Sequence, residues 1–388
     1  MKILRSIHSV NPALGGPIES VKQSSAILAR RGHVVEIVSL DAPADSWVRE
    51  CPVPVHALGP GRGNYGYSAR FTPWIRERHA NYDAVIIQGL WQYSSFGVWR
   101  ALHGTPTPYF VFPHGMLDPW FKRNYPLKHL KKLLYWPWAE SRVLRDAAAV
   151  LFTSEEERRL ARESFPLYRC EEVVVSYGTA TPDVDLANAR ETFLERFPQL
   201  RDRRFLLFLG RLHEKKGCEL LIEAFAAVRN STELNRSLDL VIAGPCADEG
   251  YRRHLEQMAG SDAGIVFTGM LSGSQKWGAL SGAEAFILPS HQENFGIAVA
   301  EALACGTPVL ISNKVNIWRE IETAEAGYVE NDDLAGTRRL LERWLATASD
   351  GRVAMQERAR QLFVQRFEIS RATDSLLEVL ESRQRAAP

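Results

Sequence analysis

Short, unbroken apolar runs alternate along this chain with segments whose apolar residues recur every three to four positions. MKILRSI, HVVEIVSL, DAVIIQGL, PYFVFPHG and AAAVLFTS have the continuous character of strands buried on both faces. Between them, PIESVKQSSAILARRG, PLKHLKKLLYWPWAESRVLRD and SEEERRLARESF show helical spacing. After EEVVVSYGTATPDVDLANAR, where Thr181-Pro182 and the polar residues behind it suit a linker, the rhythm restarts. RFLLFLGRL, LDLVIAGP, GIVFTGML, AEAFILPS and TPVLIS are the strands of this second half. GCELLIEAFAAVR, YRRHLEQMA and NFGIAVAEALACG are its helices, and the stretch from about 335 to 385 is helical and charged. Strands buried on both faces and interleaved with helices predict parallel, doubly wound sheets. The expectation is α/β with two Rossmann-like domains. The first spans 1–180, with a terminal helix 370–388 packing back on it, and the second spans 181–369. The carboxyl ends of both sheets then face a cleft.

Length and composition narrow the reading only slightly. At 388 residues the chain exceeds one ordinary core. A formal charge of +1 gives no global reason to expect nucleic acid. The five cysteines, Cys51, Cys170, Cys218, Cys246 and Cys305, show no CxxC and no metal-like spacing, so they read as reduced thiols of a cytoplasmic protein. No run of 18 uncharged apolar residues occurs, which leaves a soluble protein or one lying on a membrane surface.

PSHQENFGIAVAEALACGTPV (289–309) carries the first chemical signal. A strand, a loop and a helix in succession aim the N–H groups of Phe295, Gly296 and Ile297 at a bound anion, most often a phosphate. Glu293 sits in the loop, aimed at whatever hangs from that phosphate. Glu301 lies almost two turns inside the helix, where a ribose would offer two vicinal hydroxyls. The plainer alternative makes Glu293 a cap and Glu301 a solvated face residue. FLGRLHEKKG weighs against it, because Arg211 and Lys216 follow the first strand of the same sheet. Two cations there neutralise a diphosphate and stabilise its charge as a leaving group.

GRLHEKKG, LPSHQENFGIAVAEALACGTPV and the earlier PHGMLDPW resemble the retaining nucleotide-sugar glycosyltransferases of family 4, whose architecture is GT-B. The resemblance spans nearly the whole chain, with Glu293 and Glu301 meeting the E-x7-E element and Asn294-Phe295-Gly296 forming the loop after the first glutamate. It implies that Arg211 and Lys216 hold the donor diphosphate, Glu293 the transferred sugar, and Glu301 the ribose. His114 would face the sugar from the first domain, and Gly15-Gly16 in NPALGGPIES would form the glycine loop. It further implies front-face transfer with retention, with no enzyme nucleophile, no cofactor and no required metal. A sugar phosphorylase, a nucleotide-sugar hydrolase or a non-catalytic binding protein would use the same features.

Other motifs are weighed and set aside. GRGNYG (Gly61, Gly63, Gly66) matches GxGxxG, but no strand runs into it and no helix follows at once. Asp183 and Asp185 mimic a metal-binding acidic pair, yet they fall in the linker beside Pro182. On the acceptor side, residues 120–145 mix Lys122, Arg123, Lys128, Lys131 and Lys132 with Trp120, Phe121, Tyr135, Trp136 and Trp138. A basic, aromatic amphipathic helix of this kind lies on an anionic membrane surface and suits a polyprenyl-diphosphate-linked glycan or another saccharide acceptor. An ordinary helix with buried aromatics is the alternative. Trp91 and Tyr93 are either stacking platforms for acceptor sugars or core. The sequence ranks GDP-mannose and a UDP-hexose equally as donor.

Overall fold

The computed structural model describes residues 1–231, 237–260 and 264–385, and these form two compact units, Met1–Gly178 with the segment from Ile369, and Thr179–Glu368. Residues 386–388 of the expected terminal helix lie outside the described residues.

The first unit is built on a seven-stranded parallel sheet. Its strands are β1 (Lys2–Ile7), β2 (Val34–Ser39), β3 (Val55–Ala57), β4 (Ala84–Gln88), β5 (Tyr109–Phe112), β6 (Ala149–Phe152) and β7 (Glu172–Val174), in spatial order β3-β2-β1-β4-β5-β6-β7. The central strands β4, β5 and β6 are buried along their whole length, which is why they read as continuous apolar runs. Helix Gly16–Arg30 packs through Ile18, Val21 and Leu28 on one face of the sheet, together with Leu376, Leu377 and Leu380 of the last helix, Ile369–Arg385. An Arg31–Asp374 ion pair joins those two helices at the surface.

The second unit carries a six-stranded parallel sheet of β8 (Arg204–Leu209), β9 (Leu238–Ala243), β10 (Ile265–Gly269), β11 (Ala285–Leu288), β12 (Val309–Ser312) and β13 (Gly327–Glu330). Its order is β10-β9-β8-β11-β12-β13. In each sheet the order reverses once, between β1 and β4 and between β8 and β11. At such a switch point the loops leaving the carboxyl ends part and open a crevice.

Several local expectations are corrected. The helix expected over 126–146 breaks into Pro126–Tyr135, a tight turn Trp136–Trp138 and Glu140–Arg145, because Pro137 supplies no N–H to continue the ladder. The stretch read as linker contains helix Leu186–Arg196, capped by the Asp185 carboxylate accepting from the Ala187 N–H. One member of the acidic DVD pair is therefore a helix cap. GRGNYG is a tight reversal bridged between Arg62 and Tyr67.

Candidate functional site

The two loops that leave β8 and β11, at the switch point of the second sheet, are stitched together. The Lys215 carbonyl accepts from the His291 N–H at 2.8 Å and from the Ser290 hydroxyl at 2.9 Å, and the Lys215 ammonium donates to Gln292 Oε1 at 2.7 Å. Gly217 makes this approach possible. Its φ is 69°, and a Cβ on it would stand 2.2 Å from the Pro289 carbonyl oxygen. Held in this way, Lys216 reaches Glu293, and the two side chains form an ion pair with little exposure. Burial, with Lys215 and Arg211 close by, pushes the Lys216 ammonium down toward about 7. Arg211, in the loop just after β8, is exposed, with no ion-pair partner among the described residues.

Glu293 is fixed from its other side by the loop after β12. Its N–H donates to the Lys314 carbonyl at 2.9 Å, and its carbonyl accepts from the Asn316 N–H at 3.0 Å. The Asn316 amide also donates to Asn294 Oδ1 at 3.4 Å. Helix Ile297–Ala304 starts later than the sequence suggests. Gly296 is its N-cap in the left-handed region, φ 76°, so Phe295 and Gly296 precede the helix and Ile297 is its first residue. The Gly296 carbonyl takes the Val299 and Ala300 N–H groups, leaving those of Ile297 and Ala298 as the helix-start donors. The Phe295 ring is buried edge-on against Phe367. Glu301 is the fifth residue of the helix, nearer its start than expected. Its carboxylate accepts from the Lys276 ammonium at 2.6 Å, and that ammonium lies 4.3 Å over the Trp277 ring.

The structure thus brings Arg211, Lys216, Glu293, Asn294, Phe295, Gly296, Ile297 and Glu301 to one end of one sheet. The sequence reading missed Lys215, Lys276, Gln292 and Asn316. Their partners lie up to 77 residues away, beyond the reach of any local pattern.

His114, Gly15 and Gly16 belong to the first unit. Gly15 (φ 94°) ends the loop after β1, and Gly16 opens the helix behind it. His114 follows β5 at φ 50°, with Nε2 at 2.7 Å from Gln88 Oε1. Burial, assisted by the Arg5 charge, pushes its pKa down to about 4, so the ring is neutral at physiological pH. With Gln88 accepting from Nε2, Nδ1 is left as an acceptor. Nearby, Glu140 is fully buried and takes the Trp91 N–H at 2.9 Å and the Ser95 hydroxyl at 2.8 Å through one oxygen. Burial pushes its carboxyl up to about 7. Tyr93 is core, its hydroxyl 2.9 Å from Thr72. The Trp91 ring packs on Trp136 and Phe165 under the Lys132 ammonium. The two are therefore structural, not open stacking platforms.

Helix Pro126–Tyr135 buries Trp136 behind it but turns a different face outward. Leu127 is 78% exposed, Leu130 54% and Leu134 71%, all on one stripe, with Trp138 at 52% beyond them and exposed Lys128 and Lys131 alongside. Among the described residues no helix is long and apolar enough to cross a membrane.

Comparison with known proteins supplies the frame for these observations. A family model described as glycosyl transferases group 1 matches residues 190–382, and one described as glycosyl transferase 4-like domain matches residues 15–178. Alpha-D-kanosaminyltransferase of Streptomyces kanamyceticus is 30% identical over 197 residues, which is 50% of this chain and 49% of that protein. The GDP-mannose-dependent alpha-(1-6)-phosphatidylinositol dimannoside mannosyltransferase of Mycobacterium tuberculosis is 28% identical over 341 residues, covering 84% and 83%. Among solved structures, sucrose-phosphate synthase from Thermosynechococcus elongatus superposes with a TM-score of 0.80 at 20% identity over 99% of both chains. Anabaena HepE, in complex with UDP and glucose, gives 0.77 at 16% identity over 98% of this chain and 100% of its own.

Proposed function

Because the chain belongs to the group 1 glycosyl transferases and has their GT-B architecture, we propose that it moves a hexose from a nucleotide-diphosphate sugar to a glycan or lipid-linked glycan, with retention of configuration. The observation that carries this reading is the Lys216–Glu293 pair at the β8/β11 switch point. In it a buried cation and a carboxylate neutralise each other where a diphosphate and a sugar would each claim one of them. On this reading the donor diphosphate replaces Glu293 as the counterion of Lys216, with Arg211 and the N–H groups of Ile297 and Ala298 completing the anion site. Glu293 is thereby released to accept from sugar hydroxyls. Glu301, already held by Lys276, accepts from the ribose.

The cations stabilise the departing diphosphate, so the chemistry asks for no metal and no enzyme nucleophile. A front-face attack, with the leaving phosphate taking the acceptor's proton, needs orientation more than a positioned base. His114 acts as a neutral hydrogen-bonding partner of a substrate hydroxyl. The relatives offer both donor classes, GDP-mannose by the name of the mycobacterial mannosyltransferase and UDP by the ligand of the Anabaena structure. The outward leucine stripe and its flanking lysines support a lipid-borne acceptor met at an anionic, cytoplasmic membrane surface, in surface polysaccharide synthesis. Calorimetric titration with UDP, GDP and their hexose conjugates tests the donor assignment. Micromolar binding of one nucleotide is expected, and no binding of either would remove the reading.

A further inference from the structure

The strand that opens the chain carries a cation inside the core. Arg5, on β1, is 3% exposed, and its Nε and Nη2 have no hydrogen-bond partner. Among the described residues no carboxylate pairs with it. Beside it lies a small cavity lined by Ser20, Ser24, Gln88, Tyr177 and Leu376, with about 20 Å³ open to the centre of a water-sized sphere. That is room for one small guest. Gln88 reaches the same cavity, and its Nε2 is also unpartnered. The surrounding hydroxyls are already engaged. Ser24 donates to the Ser20 carbonyl at 2.6 Å, and Ser20 bonds the Tyr177 hydroxyl.

A buried guanidinium without a counterion is among the costliest arrangements a core can hold. Burial lowers the Arg5 pKa only to about 10, so the side chain stays charged at neutral pH. The guest that relieves this strain must accept from several N–H donors and bring a negative charge. A water molecule meets only the first requirement. We propose that this cavity is a binding site for one small inorganic anion of the halide class, held by Arg5 Nε and Nη2 and by Gln88 Nε2.

The site has a consequence for the neighbouring residue. An anion on the Gln88 amide nitrogen turns Gln88 Oε1 toward His114 and so fixes which ring nitrogen of that histidine carries the proton. Gln88 is then a positioning residue whose orientation depends on the bound ion.

Crystals of the full chain grown in sodium bromide, with data collected at the bromine edge, test the proposal directly. An anomalous peak within hydrogen-bond distance of Arg5 and Gln88 is expected. Non-anomalous water density in the cavity overturns it. In parallel, thermal unfolding is followed in sodium chloride and in sodium gluconate at equal ionic strength. Above the dissociation constant, each fivefold rise in chloride should raise the melting temperature of the first unit by about 2–4 °C. The Arg5→Met variant should lose that dependence. Identical melting in the two salts refutes the site. Should Arg5→Met not fold, the wild-type bromide and salt measurements decide.

Discussion

Lys216 and Glu293 are in direct contact although 77 positions separate them in the chain. Each is fixed by its own loop, one leaving β8 and the other leaving β11, so the pair measures how well the two loops are registered. Lys216→Ala removes the buried cation and leaves the Glu293 carboxylate unpaired. Nucleotide affinity should fall by roughly 10- to 100-fold, the worth of a charge-assisted hydrogen bond to phosphate. Glu293→Gln should bind nucleotide and lose sugar transfer. Isothermal titration and a transfer assay on both variants separate the two roles, and normal transfer by Glu293→Gln would place the sugar elsewhere.

Donor binding should weaken as pH rises. Free Lys216 is held near 7, and a bound diphosphate can only raise that value. Affinity is therefore full below about pH 7 and falls above it until the pKa of the bound state is reached. The slope is at most about tenfold per pH unit for one proton. Kd measured from pH 6 to 9 checks this, and a flat profile would mean that Lys216 is not the group facing the phosphate.

Two buried groups of the first unit pull its stability in opposite directions with pH. His114 has a folded pKa of about 4, below its ordinary value of 6.5, so its contribution is present above 6.5 and lost as pH falls toward 4. Glu140 has a folded pKa of about 7, above its ordinary 4.5, so its contribution is present below 4.5 and lost as pH rises toward 7. The first is worth about 2 kcal/mol after allowance for the partly exposed ring, and the second about 3 kcal/mol. In the wild type the two largely offset one another between pH 4.5 and 6.5. Urea melts of Glu140→Gln should show stability rising over that range, and those of His114→Asn should show it falling. Parallel curves for all three proteins would contradict both assignments.

Gly217 is irreplaceable at its position. A Cβ there meets the Pro289 carbonyl in a backbone conformation that side chains resist, so Gly217→Ala should cost about 3 kcal/mol. It should also weaken nucleotide binding, because the turn carrying Lys216 must shift. An alanine variant with wild-type melting and binding would show that the loops do not need this close approach.

The outward stripe of helix Pro126–Tyr135 makes a further test. Replacing Leu127, Leu130 and Leu134 with serine removes roughly 3 kcal/mol of apolar burial into a bilayer interface, on the order of a hundredfold in partitioning. Sedimentation with vesicles containing anionic lipid reads it. Equal sedimentation of variant and wild type would assign the stripe another use.

What the sequence made legible follows from local physics. β4, β5 and β11 are buried on both faces, so their apolar runs could hardly be anything else. The edge strands β3 and β7 are three half-buried residues each and leave no such trace. Asp185 looked like linker because a cap is written in one residue and its helix is mostly polar. Glu293, Glu301, Arg211 and Lys216 were visible as residue types placed after strands. Lys276 was not, since its helix GSQKWGALSG carries three glycines and weak periodicity. The start at Ile297 was misplaced because Asn294-Phe295-Gly296 continues the apolar spacing, while the backbone at Gly296 turns the other way.

The last helix belongs with the first. Leu376, Leu377 and Leu380 complete the core that Ile18, Val21 and Leu28 begin, so order of synthesis and order of completion differ. On the ribosome, residues 1–178 emerge early yet lack one wall until the segment from Ile369 has been made. The intervening segment Thr179–Glu368 has all its own strands beforehand and is free to finish first. A gene fragment cut at Gly178 would therefore yield an open, sticky half, whereas one running from Thr179 to Glu368 is the natural piece to produce alone.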